Sequence, residues 1–169
     1  AQQYQADLLK LHREPIDARL IGNWTDLFEI DTRRAMEFYN ANVPALKIFY
    51  GGYGGVETRE IDRMTSEKIS KSGYSRLNRV FHMPYLSDPN VKFEVRMAIL
   101  DAIWSMSVRR EGRITEEHHA EAVAACMAYS HTFLPGKLEL RPYLSEAAEK
   151  KMAISLPFDE VPDESEPEE

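Results

Sequence analysis

Two long helix-compatible runs follow one another between Asp88 and Pro135, and this pair limits what the rest of the chain can fold into. Asp88-Pro89 supplies a capping side chain and a proline suited to a first helical turn. The run "VKFEVRMAILDAIWSMSVRR" then ends in arginines that complement the helix dipole. Thr115 opens the second run, with Glu116 and Glu117 in its first turn, and "HHAEAVAACMAYSHTF" carries it to Pro135-Gly136. Ala120, Ala122, Ala124, Ala125 and Ala128 allow close approach of another helix. We therefore expect helices over 90–110 and 116–133 packed as an antiparallel pair, at the centre of an all-α, single-domain helical bundle.

The flanking segments read as shorter helices. Residues 2–13 place Leu8, Leu9 and Leu11 inward and stop ahead of Pro15, which disfavours a helical predecessor. The stretch up to Ile30 shows no clear pattern. Asp31-Thr32 can cap a helix through "RRAMEFYNA", and Pro44 kinks it or starts a second segment, "PALKIFY". "GGYGG" at 51–55 requires a turn or loop. From Val56 to Ser72 a narrow apolar stripe, Ile61, Met64 and Ile69, predicts a helix closed by Gly73, and a shorter helix over 75–83 presents Leu77, Val80 and Phe81. "LELRPYL" is expected to be extended, with Ser145 capping a last helix, "EAAEKKMAI".

With 169 residues, 43% of them hydrophobic, the chain has material for one core, which we place in residues 1–155. Its single cysteine, Cys126, excludes an internal disulfide and any cysteine cluster within one chain. No stretch approaches the roughly 20 apolar residues of a membrane span, and no leader-type pattern marks the N-terminus, so a cytoplasmic protein is expected. The net charge of -7 arises from Asp159 onward, and without those acids 21 acidic residues balance 21 basic ones. Residues 156–169 accordingly read as an acidic, mobile tail.

Several local patterns carry chemistry. "KISKS", residues 68–72, resembles the phosphate-gripping signature loop of class I aminoacyl-tRNA synthetases. The upstream signature and the α/β nucleotide domain that accompany it there are absent here, so no nucleotide site is assigned. The same region offers a basic face, Arg59, Arg63, Lys68, Lys71, Arg76, Asn78 and Arg79, in the outline of a helix-turn-helix hinged at Gly73. It is the candidate nucleic-acid or anion-binding segment, with Arg76, Asn78 and Arg79 reaching the ligand. Glu67 and Lys71 are spaced for an ordinary helix ion pair.

Glu116 and His119 have the spacing of half a di-iron carboxylate site, but no second half exists, and neither a metal nor a cofactor is expected. Asp101 aligns on a helical wheel with Glu94 and Ser105, as a site if that face lines a cleft or as a water-facing strip. Cys126, in an alanine-rich run, reads as an inert buried thiol. No catalytic set is complete. The functional expectation is a non-enzymatic interaction or accessory subunit, with a protein partner or homo-oligomer held through apolar helix faces. A nucleic-acid-binding regulator and a small metal- or cofactor-dependent enzyme subunit are the alternatives.

Overall fold

A computed structural model describes residues 2–52 and 56–156. Among them run seven α-helices: α1 (Gln2–Leu11), α2 (Trp24–Ala41), α3 (Val43–Phe49), α4 (Val56–Val80), α5 (Pro89–Glu111), α6 (Glu116–Ser130) and α7 (Pro142–Glu149). Two short strands, β1 (Ile16–Asp17) and β2 (Ala153–Ile154), pair antiparallel, with Ile16 opposite Ile154. The all-α architecture expected from the sequence is what forms. No helix among the described residues is long and apolar enough to cross a membrane.

The central pair is α5 with α6. Phe93 meets Phe133 at 6.2 Å between ring centroids, while Trp104, further along α5, meets His119 near the start of α6 at 5.9 Å, so the helices are antiparallel. The turn between them is fixed locally. Gly112 adopts φ 70°, a conformation that favours glycine. Ser107 Oγ donates to the Arg113 carbonyl and accepts from the Thr115 N–H, and the Thr115 side chain accepts from the His118 N–H as the cap of α6. Asn40 of α2 then clamps Ile114 through both its backbone groups, at 2.8 and 2.9 Å.

Several boundaries differ from expectation, each for a physical reason. Helix α2 starts seven residues before Asp31, because Asn23 and Asp26 form a capping box. The Asn23 amide also donates to the Gly136 carbonyl at 2.7 Å, tying this end to the loop after α6. Asp31 and Thr32 are thus interior helix residues, and both are buried. Helix α4 does not end at Gly73. A Cβ there would stand 2.6 Å from the Phe93 ring, so this glycine serves close packing of α4 on α5 rather than termination. Asp88 precedes α5 but takes φ 48° and makes no capping bond through its side chain. In the last segment Pro142, not Ser145, begins α7, and the residues expected to prolong that helix form β2 instead.

The apolar interior is built in two clusters. One gathers Trp24, Leu27, Phe81, Phe93 and Leu144; the other gathers Phe28, Tyr39, Leu46, Leu100 and Trp104. Each fully buried Leu or Phe contributes about 1.5–3 kcal/mol. Leu156, expected in the tail, is 3% exposed and belongs to the first cluster. Residues 157–169, with the acidic segment, lie outside the described residues, as do 53–55 of the glycine-rich stretch.

Candidate functional site

Helix α5 turns one face, Phe93, Arg96, Met97, Leu100, Asp101 and Trp104, toward α2 and α4, and a cavity of about 90 Å³ lies between them. The spacing is helical throughout, with two charged residues set among four apolar ones. Helix α2 contributes Phe28, Asp31, Thr32 and Tyr39; α4 contributes Ile69, Ser70 and Arg76; Leu8, His12 and Tyr50 complete the wall. By the space one water requires, the cavity has room for about six to nine waters or one small organic molecule.

One side is a buried ionic network. Arg76, 4% exposed, is bidentate on Asp31: one guanidinium nitrogen bonds Oδ2 and the other reaches Oδ1 at 3.0 Å. Arg76 Nε donates to the Leu156 carbonyl at 2.6 Å, which anchors the chain just after β2. His12 Nδ1 stands 3.6 Å from Asp31 Oδ1. Burial alone would raise the Asp31 carboxyl, but the Arg76 charge and the His12 ring outweigh it and hold it below the usual carboxylate range.

Arg96 is treated differently. Its guanidinium lies over the rings of Phe28 and Phe93, at 4.6 and 4.5 Å from their centroids. No carboxylate among the described residues pairs with it, and its buried Nε has no acceptor. Burial lowers it from the ordinary arginine range to about 10, so it remains cationic at neutral pH. Stacking holds the group in place without neutralising it. Two further buried donors on residues that line the same cavity, Ser70 Oγ and Trp104 Nε1, have no hydrogen-bond partner among the described residues. At the Trp104 end, Tyr39, Tyr50 and Trp104 pack edge to face, and the Tyr50 hydroxyl donates to Asp101 Oδ1 at 3.1 Å.

The residues expected to form a basic face are dispersed. Arg76 points into the interior, as its ion pair requires. Asn78 accepts from Arg141 at 2.9 Å. Arg63 and Lys71 both bridge Glu67, at 3.0 and 3.1 Å, as the helical spacing anticipates. Lys68 and Arg79 are exposed, and the Arg79 carbonyl accepts from Tyr143. The Arg59 side chain lies outside the described residues. Because α4 is continuous through Gly73, the outlined helix-turn-helix does not form. "KISKS" is part of the same helix, with Ser70 facing the cavity, and is not a loop.

Glu116 and His119 turn to different neighbours. Glu116 bonds Arg33, which lowers its carboxyl, whereas His119 is buried against Trp104. No group of three His, Cys, Asp or Glu that could hold a metal ion occurs among the described residues. Asp101 does line a cavity, but Glu94, its expected companion, is exposed. Cys126 is buried and burial pushes its thiol up to about 11. Sequence reasoning missed Asp31, His12 and Arg96. For Arg96 a signal existed, an arginine inside the apolar stripe 93, 97, 100 and 104. The chain matches no protein-family model, no curated protein and no solved structure.

Proposed function

We propose that the protein binds a small organic anion with a mostly apolar body in the cavity between α2, α4 and α5. The observation that carries this is Arg96, a cation stacked over two aromatic rings on a cavity wall with no carboxylate among the described residues to pair with. An arginine so placed favours a planar anion such as a carboxylate, whose two oxygens match its donors. The surrounding Phe28, Met97, Leu100 and Trp104 suit an apolar or aromatic body.

Isothermal titration of the protein with 3-phenylpropanoate, and with the uncharged 3-phenylpropanamide as control, tests the idea. Saturable binding of the carboxylate, weak binding of the amide, and loss of binding in Arg96→Met are expected. Absence of binding by aryl and alkyl carboxylates up to millimolar concentration, or undiminished binding in Arg96→Met, overturns it.

A second reading, an interaction subunit, is favoured by one surface feature. Val91 and Val95, one turn apart on α5, and Tyr85 just before it are exposed at 57%, 38% and 89%. Native mass spectrometry of the protein from its own host tests this reading, and a bare monomer at all accessible concentrations counts against it.

A further inference from the structure

We infer that two copies of this chain associate by docking the acidic run 159–169 of one on the arginines at the α5–α6 turn of the other. The inference is independent of the cavity. The turn carries "RREGR", residues 109–113, three arginines against one glutamate, a net of two positive charges. Arg109, Arg110 and Arg113 are exposed, and no ion pair among the described residues engages any of them. Other cations of the surface find carboxylates: Arg19 bonds Asp17, Arg33 bonds Glu116, and Arg63 and Lys71 share Glu67.

The backbone beneath these arginines is held at several points. The Gly112 N–H bonds the Val108 carbonyl, Ser107 Oγ donates to the Arg113 carbonyl, and Asn40 of α2 clamps Ile114. A platform fixed in this way loses little further backbone freedom when a partner docks. The chain itself contains the complement. Residues 157–169, outside the described residues, carry seven acids and no Lys or Arg. Charges of opposite sign on this scale attract one another across roughly a Debye length, about 8 Å at physiological salt.

The place where the described chain stops decides which copy supplies the acids. The Leu156 carbonyl accepts from Arg76 at 2.6 Å, and Leu156 shares a buried cluster with Phe93 near the start of α5. Arg109 follows Phe93 by 16 residues of the same helix, a rise of about 24 Å. At about 3.3 Å per residue, Asp159 and Glu160 fall well short of the arginines of their own chain, and Asp163 and Glu164 span the gap only at near-full extension. A second copy imposes no such limit. In a twofold pair each acidic run meets the other copy's arginines, so the contact forms twice.

Analytical ultracentrifugation of the intact protein over a range of concentrations gives the first result. A reversible dimer is expected, with a dissociation constant at least about tenfold weaker in about 500 mM salt than in about 50 mM, because exposed charges are screened. Two full-length charge-swap variants then test the arrangement. One carries Arg109→Glu, Arg110→Glu and Arg113→Glu; the other carries Asp163→Lys, Glu164→Lys, Glu166→Lys and Glu168→Lys. Each alone is expected to be monomeric, and an equimolar mixture is expected to restore the dimer, since both contacts again join opposite charges. Circular dichroism establishes that each variant is folded. A wild type that stays monomeric at low salt up to millimolar concentration overturns the inference, even if its acidic run folds back on its own arginines. A dimer untouched by the arginine swap also overturns it and leaves the apolar face of α5 as the interface, and a mixture that fails to associate overturns the reciprocal docking.

Discussion

Replacing Arg96 by methionine separates a functional cation from a structural one, because the two roles predict opposite signs for stability. The lowering of Arg96 to about 10, well below an ordinary arginine, is led by burial. It corresponds to about 3 kcal/mol of unfavourable free energy for the charged form at 1.36 kcal/mol per pH unit. Against this, stacking on Phe28 and Phe93 returns roughly 1 kcal/mol per ring. Methionine keeps an unbranched stem of similar reach and removes both contributions. The ligand-free variant should therefore be about 1 kcal/mol more stable than the wild type, a rise in Tm of about 2–4 °C for a chain of this size. Calorimetric melts at pH 7, in a buffer without organic anions, read this directly, and titration with 3-phenylpropanoate reads the accompanying loss of binding. A fall in Tm of more than about 5 °C would refute the reasoning. Such a fall would mean that the fold itself depends on the Arg96 charge and that no ligand is needed to explain it.

Three other outcomes follow from neighbouring geometry. Asp31→Asn leaves the buried Arg76 without its counter-charge and should cost about 3–5 kcal/mol at pH 7 in urea titrations. Because the folded-state value of Asp31 lies below its unfolded one, its contribution is present above about pH 4 and is lost as pH falls through the folded value, so the variant's stability should vary less with pH in that range than the wild type's. Gly73→Ala should be destabilising by up to about 2 kcal/mol in the same assay, because overpacking against the fully buried Phe93 exceeds the roughly 1 kcal/mol that alanine gains in a helix; a stabilised variant would show that α4 and α5 separate easily. Cys126, buried and with its thiol pushed up to about 11, should react with an aromatic disulfide reagent at pH 8 only after guanidinium is added, and fast labelling of the native protein would contradict its placement.

Helices α5 and α6 were legible because their ends are written locally, in Pro89, Gly112 and the Thr115 cap. Helix α2 was half legible. Its true start lies in the Asn23 and Asp26 capping box, but Asp31-Thr32 imitates a cap equally well in sequence, and only tertiary burial shows that these two residues face inward. Gly73 is ambiguous for a related reason. Glycine marks helix ends and close helix contacts alike, and the Phe93 ring that decides between them is 20 residues away in the chain. The site was least legible where it depended on partners distant in sequence. A basic run over 59–79 looks like a solvated or nucleic-acid-facing surface until Asp31, 45 residues before Arg76, takes one of its cations inside.

The contrast between the two arginines is what gives the cavity a functional rather than a purely structural character. Arg76 and Arg96 line the same space, Arg76 buried and Arg96 half-buried with its Nε out of reach of solvent. For Arg76 the chain supplies a full set of compensations: both oxygens of Asp31 and the Leu156 carbonyl. The network closes on itself and ties α2, α4 and the residue after β2 together, a role that needs no ligand. For Arg96 the described residues supply two aromatic faces and no ion pair, which hold the guanidinium in place and leave its buried Nε without an acceptor. If stability alone had shaped that position, an apolar side chain would serve better, since a buried charge lacking a partner works against folding. Retaining a cation there makes sense if its counter-ion arrives from outside. In that case binding would stabilise the folded state by an amount that grows with ligand concentration relative to Kd, and a rise in Tm with ligand concentration in the wild type, absent in Arg96→Met, would be its signature.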